Sequence, residues 1–239
     1  MKKAVGIFFK LLALILSVIV CLMLILGIFY GIKGYQMYQQ AKEKQPMEEM
    51  VGKIQGQEHF VSFEELPSIY VDAVVSTEDR RFWSHGGIDI IAIGRAAWND
   101  IKTFSFAEGG STITQQLAKN LYFTQEKELE RKFAEIFAAF AFESKYSKEE
   151  IFELYVNTIY FGSGYYGIYD AALGYYGKKP SELTDYEAVM LAGLPNAPTA
   201  YALDTNPELA EQRMRQVLAR MEECGKISGR EADKLLQVQ

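Results

Sequence analysis

Residues 11–32 read LLALILSVIVCLMLILGIFYGI, an apolar run without one charged side chain. As a helix rising 1.5 Å per residue it would be roughly 33 Å long, enough to cross the hydrocarbon core of a bilayer. Lys2, Lys3 and Lys10 precede the run and Lys33 follows it. That modest asymmetry predicts a cytoplasmic N-terminus, residues 1–10, and a C-terminal domain on the outer face. A cleaved signal peptide is the alternative. The run is longer than a usual signal core and no small-x-small cleavage site follows, which favours an uncleaved anchor.

Residues 33–57 are polar and read as a connector that continues the anchor helix as a stalk and breaks near Pro46. The remaining residues, 58–239, suffice for one domain with a real core. The chain is 49% hydrophobic and 23% charged, so it is globular rather than disordered. A net charge of -6 argues against a nucleic-acid partner. Cys21 lies in the apolar run and Cys224 near the end, so no disulfide framework is implied. His59 and His85 are the two histidines, and no Cys/His cluster has zinc spacing.

Glu78 opens the densest cluster of reactive side chains, EDRRFWSHGGID. Upstream, Ile69, Tyr70, Ala73, Val74 and Thr77 follow Leu66-Pro67 at helical spacing, which puts Glu78 late in a helix. Gly86 and Gly87 are expected to stop that helix. A helix end with a salt-bridged surface would read the same way. Asp89 is placed to cap a helix through IIAIGRAAWNDIK. Residues 103–110, TFSFAEGG, read as a loop that flexes and carries Phe104 and Phe106, or as an ordinary connector. In GGSTITQQLAKN, Ser111 and Thr112 can cap. Gln115 with Lys119, and Gln116 with Asn120, then share helix faces suited to sugar hydroxyls and phosphate.

In ELERKFAEIFAAFAFESKY, the residues Phe133, Ile136, Phe137, Phe140 and Ala141 form a stripe that predicts a core helix. Arg131 and Glu135, four apart, read by default as a surface salt bridge. Ser147/Glu150, Thr184/Glu187 and Ser228/Glu231 mark three further helix starts, and Asn206-Pro207 begins a long helix that ends at Gly225. Gly162, Gly164 and Gly167 open a tyrosine-rich loop between them. No segment alternates as a strand with hairpin turns, so the domain is expected to be mainly α.

Four blocks in this order, EDRRFWSHGGID, GGSTITQQLAKN, RKFAE with YSKEEIFELYVNTIYFG, and LAGLPNAPTAY, resemble the family 51 glycosyltransferases. These are the peptidoglycan glycosyltransferases that polymerise lipid II, and the resemblance covers nearly all of residues 60–239. It implies a lysozyme-like helical head with a smaller membrane-associated lobe, behind one transmembrane helix. Class A penicillin-binding proteins carry such a domain before a transpeptidase. No Ser-x-x-Lys domain follows here, so the monofunctional form is expected. Carried over residue by residue, Glu78 matches the catalytic general base and Asp79 its acidic neighbour. Glu135 matches the second important glutamate. Lys119, Arg131 and Lys132 match basic positions near the donor pyrophosphate, while Ser111, Thr112, Gln115 and Gln116 match polar positions lining the cleft. Lys127 stands where some members have Arg, and His85 is given a structural role.

The implied reaction is attack of an acceptor GlcNAc 4-hydroxyl on C1 of donor MurNAc, with inversion and loss of undecaprenyl diphosphate. A base must take the alcohol's proton and cations must meet the leaving charge. No cofactor is required. A Mg²⁺ or Mn²⁺ at the pyrophosphate could add charge there, but no ligand spacing marks its site, so no metal residues are assigned. The expected partners are lipid II, the growing lipid-linked glycan, the membrane and cell-wall synthesis proteins. A membrane-anchored lysozyme-like enzyme that cleaves glycan is the alternative. Cleavage releases no pyrophosphate, so the basic cluster disfavours it. A silent scaffold would not need the charged residues of the first three blocks.

Overall fold

The computed structural model describes residues 2–103, 109–123 and 128–237. Phe104 and Phe106 of the expected flexing loop, and Lys127, lie outside them. The described chain is helical: α1 Lys2–Lys44, α2 Met47–Gln55, α3 Ser68–Glu78, α4 Ile90–Thr103, α5 Ile113–Tyr122, α6 Glu128–Glu143, α7 Lys148–Val156, α8 Ile168–Tyr176, α9 Asp185–Gly193, α10 Pro207–Glu223 and α11 Gly229–Gln237. No strand is formed among the described residues beyond an isolated bridge pairing Tyr160 with Tyr166. The capping boxes at Thr184 and Ser147 form as their spacing predicts, and so does the Ser228–Glu231 pair.

Among the described residues one helix, α1, is long and apolar enough to cross a membrane. It does not stop at residue 32 but continues unbroken to Lys44, and this extension lies along α6. Gly34 makes the closest approach. A Cβ there would stand 2.8 Å from the backbone nitrogen of Ala134 and 2.9 Å from the carbonyl carbon of Phe133. Tyr35 packs edge-on against Phe137, and Tyr38 against Tyr122. The chain breaks at Pro46, and α2 then buries Met47, Met50, Val51 and Ile54 in the core. The stretch read as a polar connector is therefore part of the folded unit, because its four apolar side chains fall on one helical face.

Helix α6 departs from the expected pattern. Its buried face carries Ala134, Ala138, Ala139 and Phe142, together with Arg131 and Glu135. Phe140 is exposed, and Phe133 and Phe137 meet α1. Periodicity finds an apolar stripe but cannot say what covers it. Here small alanines admit close neighbours on the core side, while the large rings fill the seam with the anchor helix. The Arg131–Glu135 pair is accordingly buried, not at the surface.

Helices α3, α9 and α10 pack against one another in the other half of the core. Helix α3 ends at Glu78, well before the glycines expected to stop it. Asp79 leaves helical geometry because its carboxylate is bonded elsewhere, to His85 and to the start of α5. Gly87 serves close packing instead: a Cβ there would lie 2.8 Å from the backbone nitrogen of Phe140.

Candidate active site

The end of α3, the start of α5, the first turns of α6 and one face of α10 surround a cleft of about 630 Å³. Glu78 sits in its wall with a side chain only 12% exposed. One carboxylate oxygen accepts from Gln116 Nε2 at 2.8 Å. Gln116 is itself held by the Tyr155 hydroxyl, 3.3 Å from its Oε1. Burial, with Glu78 close by, holds the Tyr155 hydroxyl's pKa well above its ordinary value, so it stays a donor. The other Glu78 oxygen lies 3.5 Å from Arg213 Nη2. Arg213 reaches it from α10, oriented by the Gly193 carbonyl at 3.3 Å and Gln216 Oε1 at 3.1 Å. A side chain on residue 193 would crowd this path, since its Cβ would stand 3.1 Å from Arg213 Cγ.

Asp79 is buried and its oxygens are engaged. Oδ1 lies 2.7 Å from His85 Nε2, and Oδ2 accepts the Ile113 N–H at 3.0 Å. Burial, the largest single influence, lowers the His85 pKa, but the Asp79 bond and charge and the Gly86 carbonyl together raise it overall. The structural role expected of His85 is thus to pin Asp79, and through it the entrance to α5.

Thr112 and Gln115 form a capping box, with Thr112 Oγ1 also donating to the Gly87 carbonyl at 2.8 Å. Much of their hydrogen-bonding capacity is spent on fixing the α5 N-terminus, although both still border the cleft. Ser111 Oγ accepts from Lys132 Nζ at 3.1 Å, and that ammonium lies 2.8 Å from Glu135 Oε2. Glu135 has no solvent exposure and is also paired with Arg131. Lys132 and Lys119 line the cleft, whereas Arg131 stands behind Glu135 and does not. Lys119 is depressed below the ordinary lysine pKa, mainly by burial; Glu135 opposes this and the Lys132 and Arg131 charges add to it.

Asp79, His85 and Asp89 hold ligand-type atoms within 4.8 Å of one another. Asp89, however, is bonded to Arg81 and to the Ala92 N–H, and a guanidinium inside the cluster opposes a divalent cation. Glu135 is likewise taken by two cations. Among the described residues, neither the Asp79–His85–Asp89 cluster nor Glu135 fits a protein-held Mg²⁺ or Mn²⁺, and the chemistry below uses none.

Sequence reasoning brings Glu78, Gln116, Lys119, Lys132 and Glu135 to this cleft but misses Arg213 and Arg95, which line it as well. A faint signal exists for the first. Arg213, Gln216 and Arg220 recur at helical spacing beside the apolar stripe of α10, all three at the cleft.

A family model described as Transglycosylase matches residues 43–222. Penicillin-binding protein 1A of Aquifex aeolicus (strain VF5) is 49% identical over 169 residues, 71% of this chain and 23% of its own. Penicillin-binding protein 1F of Bacillus subtilis (strain 168) is 42% identical over 172 residues, 72% of this chain and 24% of its own. The chain spans about a quarter of the length of these curated relatives. The crystal structure of penicillin-binding protein 1A from Haemophilus influenzae aligns over 75% of this chain and 17% of that one, with a TM-score of 0.45 and 24% identity. The family match runs from α1's extension through nearly all of α10 and takes in Glu78, Glu135 and Arg213 alike: the chain belongs to the transglycosylase family.

Proposed function

We propose that this chain is a peptidoglycan glycosyltransferase that joins lipid II into β-1,4-linked glycan and releases undecaprenyl diphosphate. In this reading α1 anchors it in the membrane and the cleft works at the outer face. One observation carries the reading: a carboxylate fixed by an amide and a guanidinium faces the same cleft as two lysines.

Glu78 takes the proton of the acceptor 4-hydroxyl as that oxygen bonds to C1 of the donor sugar. Its amide and guanidinium partners fix the carboxylate's aim before substrate arrives. The bond from C1 to the diphosphate breaks on the opposite face, so the anomeric centre inverts. Lys119 and Lys132 meet the charge that gathers on the leaving diphosphate. Glu135 holds Lys132 in place and Arg131 acts through Glu135, a supporting role rather than contact with the diphosphate.

Labelled lipid II supplied to the purified full chain, followed on a gel with and without lysozyme digestion, tests this. The parent should make long, lysozyme-sensitive glycan. Folded Glu78→Gln should be slower by roughly 10²–10⁴-fold, the usual loss for a general base. A folded Glu78→Gln variant with the parent's rate removes the base assignment. A parent that shortens finished glycan and ignores lipid II is a lytic enzyme instead.

A further inference from the structure

Arg95 lies on α4, whose Ile90, Ile91 and Trp98 are exposed while Ala96 is buried. Ala92, Arg95 and Ala96, spaced three and four apart, therefore form the inward side of that helix. Ala92 and Arg95 line the cleft. This side rests against Gly110, where an added Cβ would stand 3.5 Å from Ile93 Cα and 3.8 Å from Ala96 Cβ. The next residue, Ser111, receives Lys132 Nζ from α6. Arg95 and Lys132 thus approach the cleft from two helices that meet the adjacent residues Gly110 and Ser111.

The state of the cleft's cations singles out Arg95. Arg213 is held by Glu78, Gly193 and Gln216, and Arg220 is paired with Glu223. Arg131, the arginine expected at the diphosphate from the sequence, is turned to Glu135 behind the cleft wall. Arg80 borders the cleft but is exposed. Arg95 is half-buried, and its Nε is buried with no hydrogen-bond partner among the described residues. A buried N–H donor without an acceptor is unfavourable unless a ligand brings one. A guanidinium presents a planar fork that matches a phosphate's oxygens in pairs.

We propose that Arg95 is a phosphate-binding residue of the cleft, taking one phosphate of a prenyl diphosphate while Lys132 and Lys119 hold the other. The proposal rests on reading this cleft as a glycosyl-diphosphate site. It hands to Arg95 the direct contact that the sequence reading gave to Arg131.

The test measures binding of farnesyl diphosphate and farnesyl monophosphate to the full chain in a neutral detergent. The parent should prefer the diphosphate. Arg95→Gln should weaken the diphosphate roughly 10- to 100-fold, the range for a lost charge-assisted contact. It should change the monophosphate by less than about 3-fold, because the lysines suffice for one phosphate. Arg95→Lys should recover part of the loss, restoring charge without the fork. Without ligand, Arg95→Gln should melt with the parent, since no partner among the described residues is lost. The proposal is overturned by equal weakening of both probes, by unchanged diphosphate affinity, or by a large drop in melting temperature, which would make Arg95 structural. It is also overturned if Arg95→Gln loses only binding to phosphatidylglycerol vesicles, which would assign the arginine to bilayer headgroups. A parent that binds neither prenyl probe refutes the glycosyl-diphosphate reading itself.

Discussion

Replacing Glu135 by Gln removes a negative charge from a side chain with no solvent exposure, set between two cations. The two partners will respond differently. The Lys132 side chain is 45% exposed and can turn to water or stay on Ser111. The Arg131 side chain is 11% exposed and keeps its charge without a counter-ion. The loss is therefore that of one stranded guanidinium. Breaking a buried pair from one side costs about 3–5 kcal/mol. Because the Gln carbonyl still accepts a hydrogen bond from Arg131, the low end applies, about 3 kcal/mol. For a domain of about 200 residues this lowers the melting temperature by roughly 6–12 °C. The double replacement Arg131→Met with Glu135→Leu removes both charges together and should recover most of that loss. Thermal and denaturant unfolding of the full chain in detergent measures each variant. A Glu135→Gln protein that melts within about 1 °C of the parent would refute the buried-pair argument. A double variant no more stable than the single one would show that the loss is packing, not charge.

Gly34→Ala should destabilise the contact of α1 with α6 by about 1–3 kcal/mol, as overpacking does, because backbone atoms of Phe133 and Ala134 stand in the way. Gly31→Ala is its control: that Cβ would stop 4.0 Å from the Phe133 ring and should matter by less than about 0.5 kcal/mol. Equal melting of the two variants would refute the close approach. His85 has a raised folded pKa, so its charged pairing with Asp79 contributes fully below the unfolded value of about 6.5 and is lost as pH rises through the folded value. Unfolding midpoints from about pH 5.5 to about pH 8.5 should show the parent's advantage over His85→Gln shrinking as pH rises, and a flat difference would mean that folding does not raise the imidazole's pKa.

Much of the local architecture could be read from neighbouring residues. The helix starts at Ser147, Thr184 and Ser228 form where their acids stand three residues on, since a capping hydrogen bond closes within one turn. The anchor is legible because crossing lipid is a matter of length and apolarity alone. Glu78 at the end of a helix follows from spacing too, although Asp79's distant bonds rather than Gly86 and Gly87 end that helix. What lies across the cleft was not legible. Arg213 meets Glu78 from 135 positions away in the chain. Arg131 and Glu135 are buried because α6 turns its alanine face inward and its phenylalanines toward α1. Arg95 Nε has no acceptor among the described residues, on a helix that passes close to Gly110. A short-range hydrogen bond is fixed by spacing along one helix, but burial and charge pairing depend on which other helix covers a face. Only the packed chain decides that.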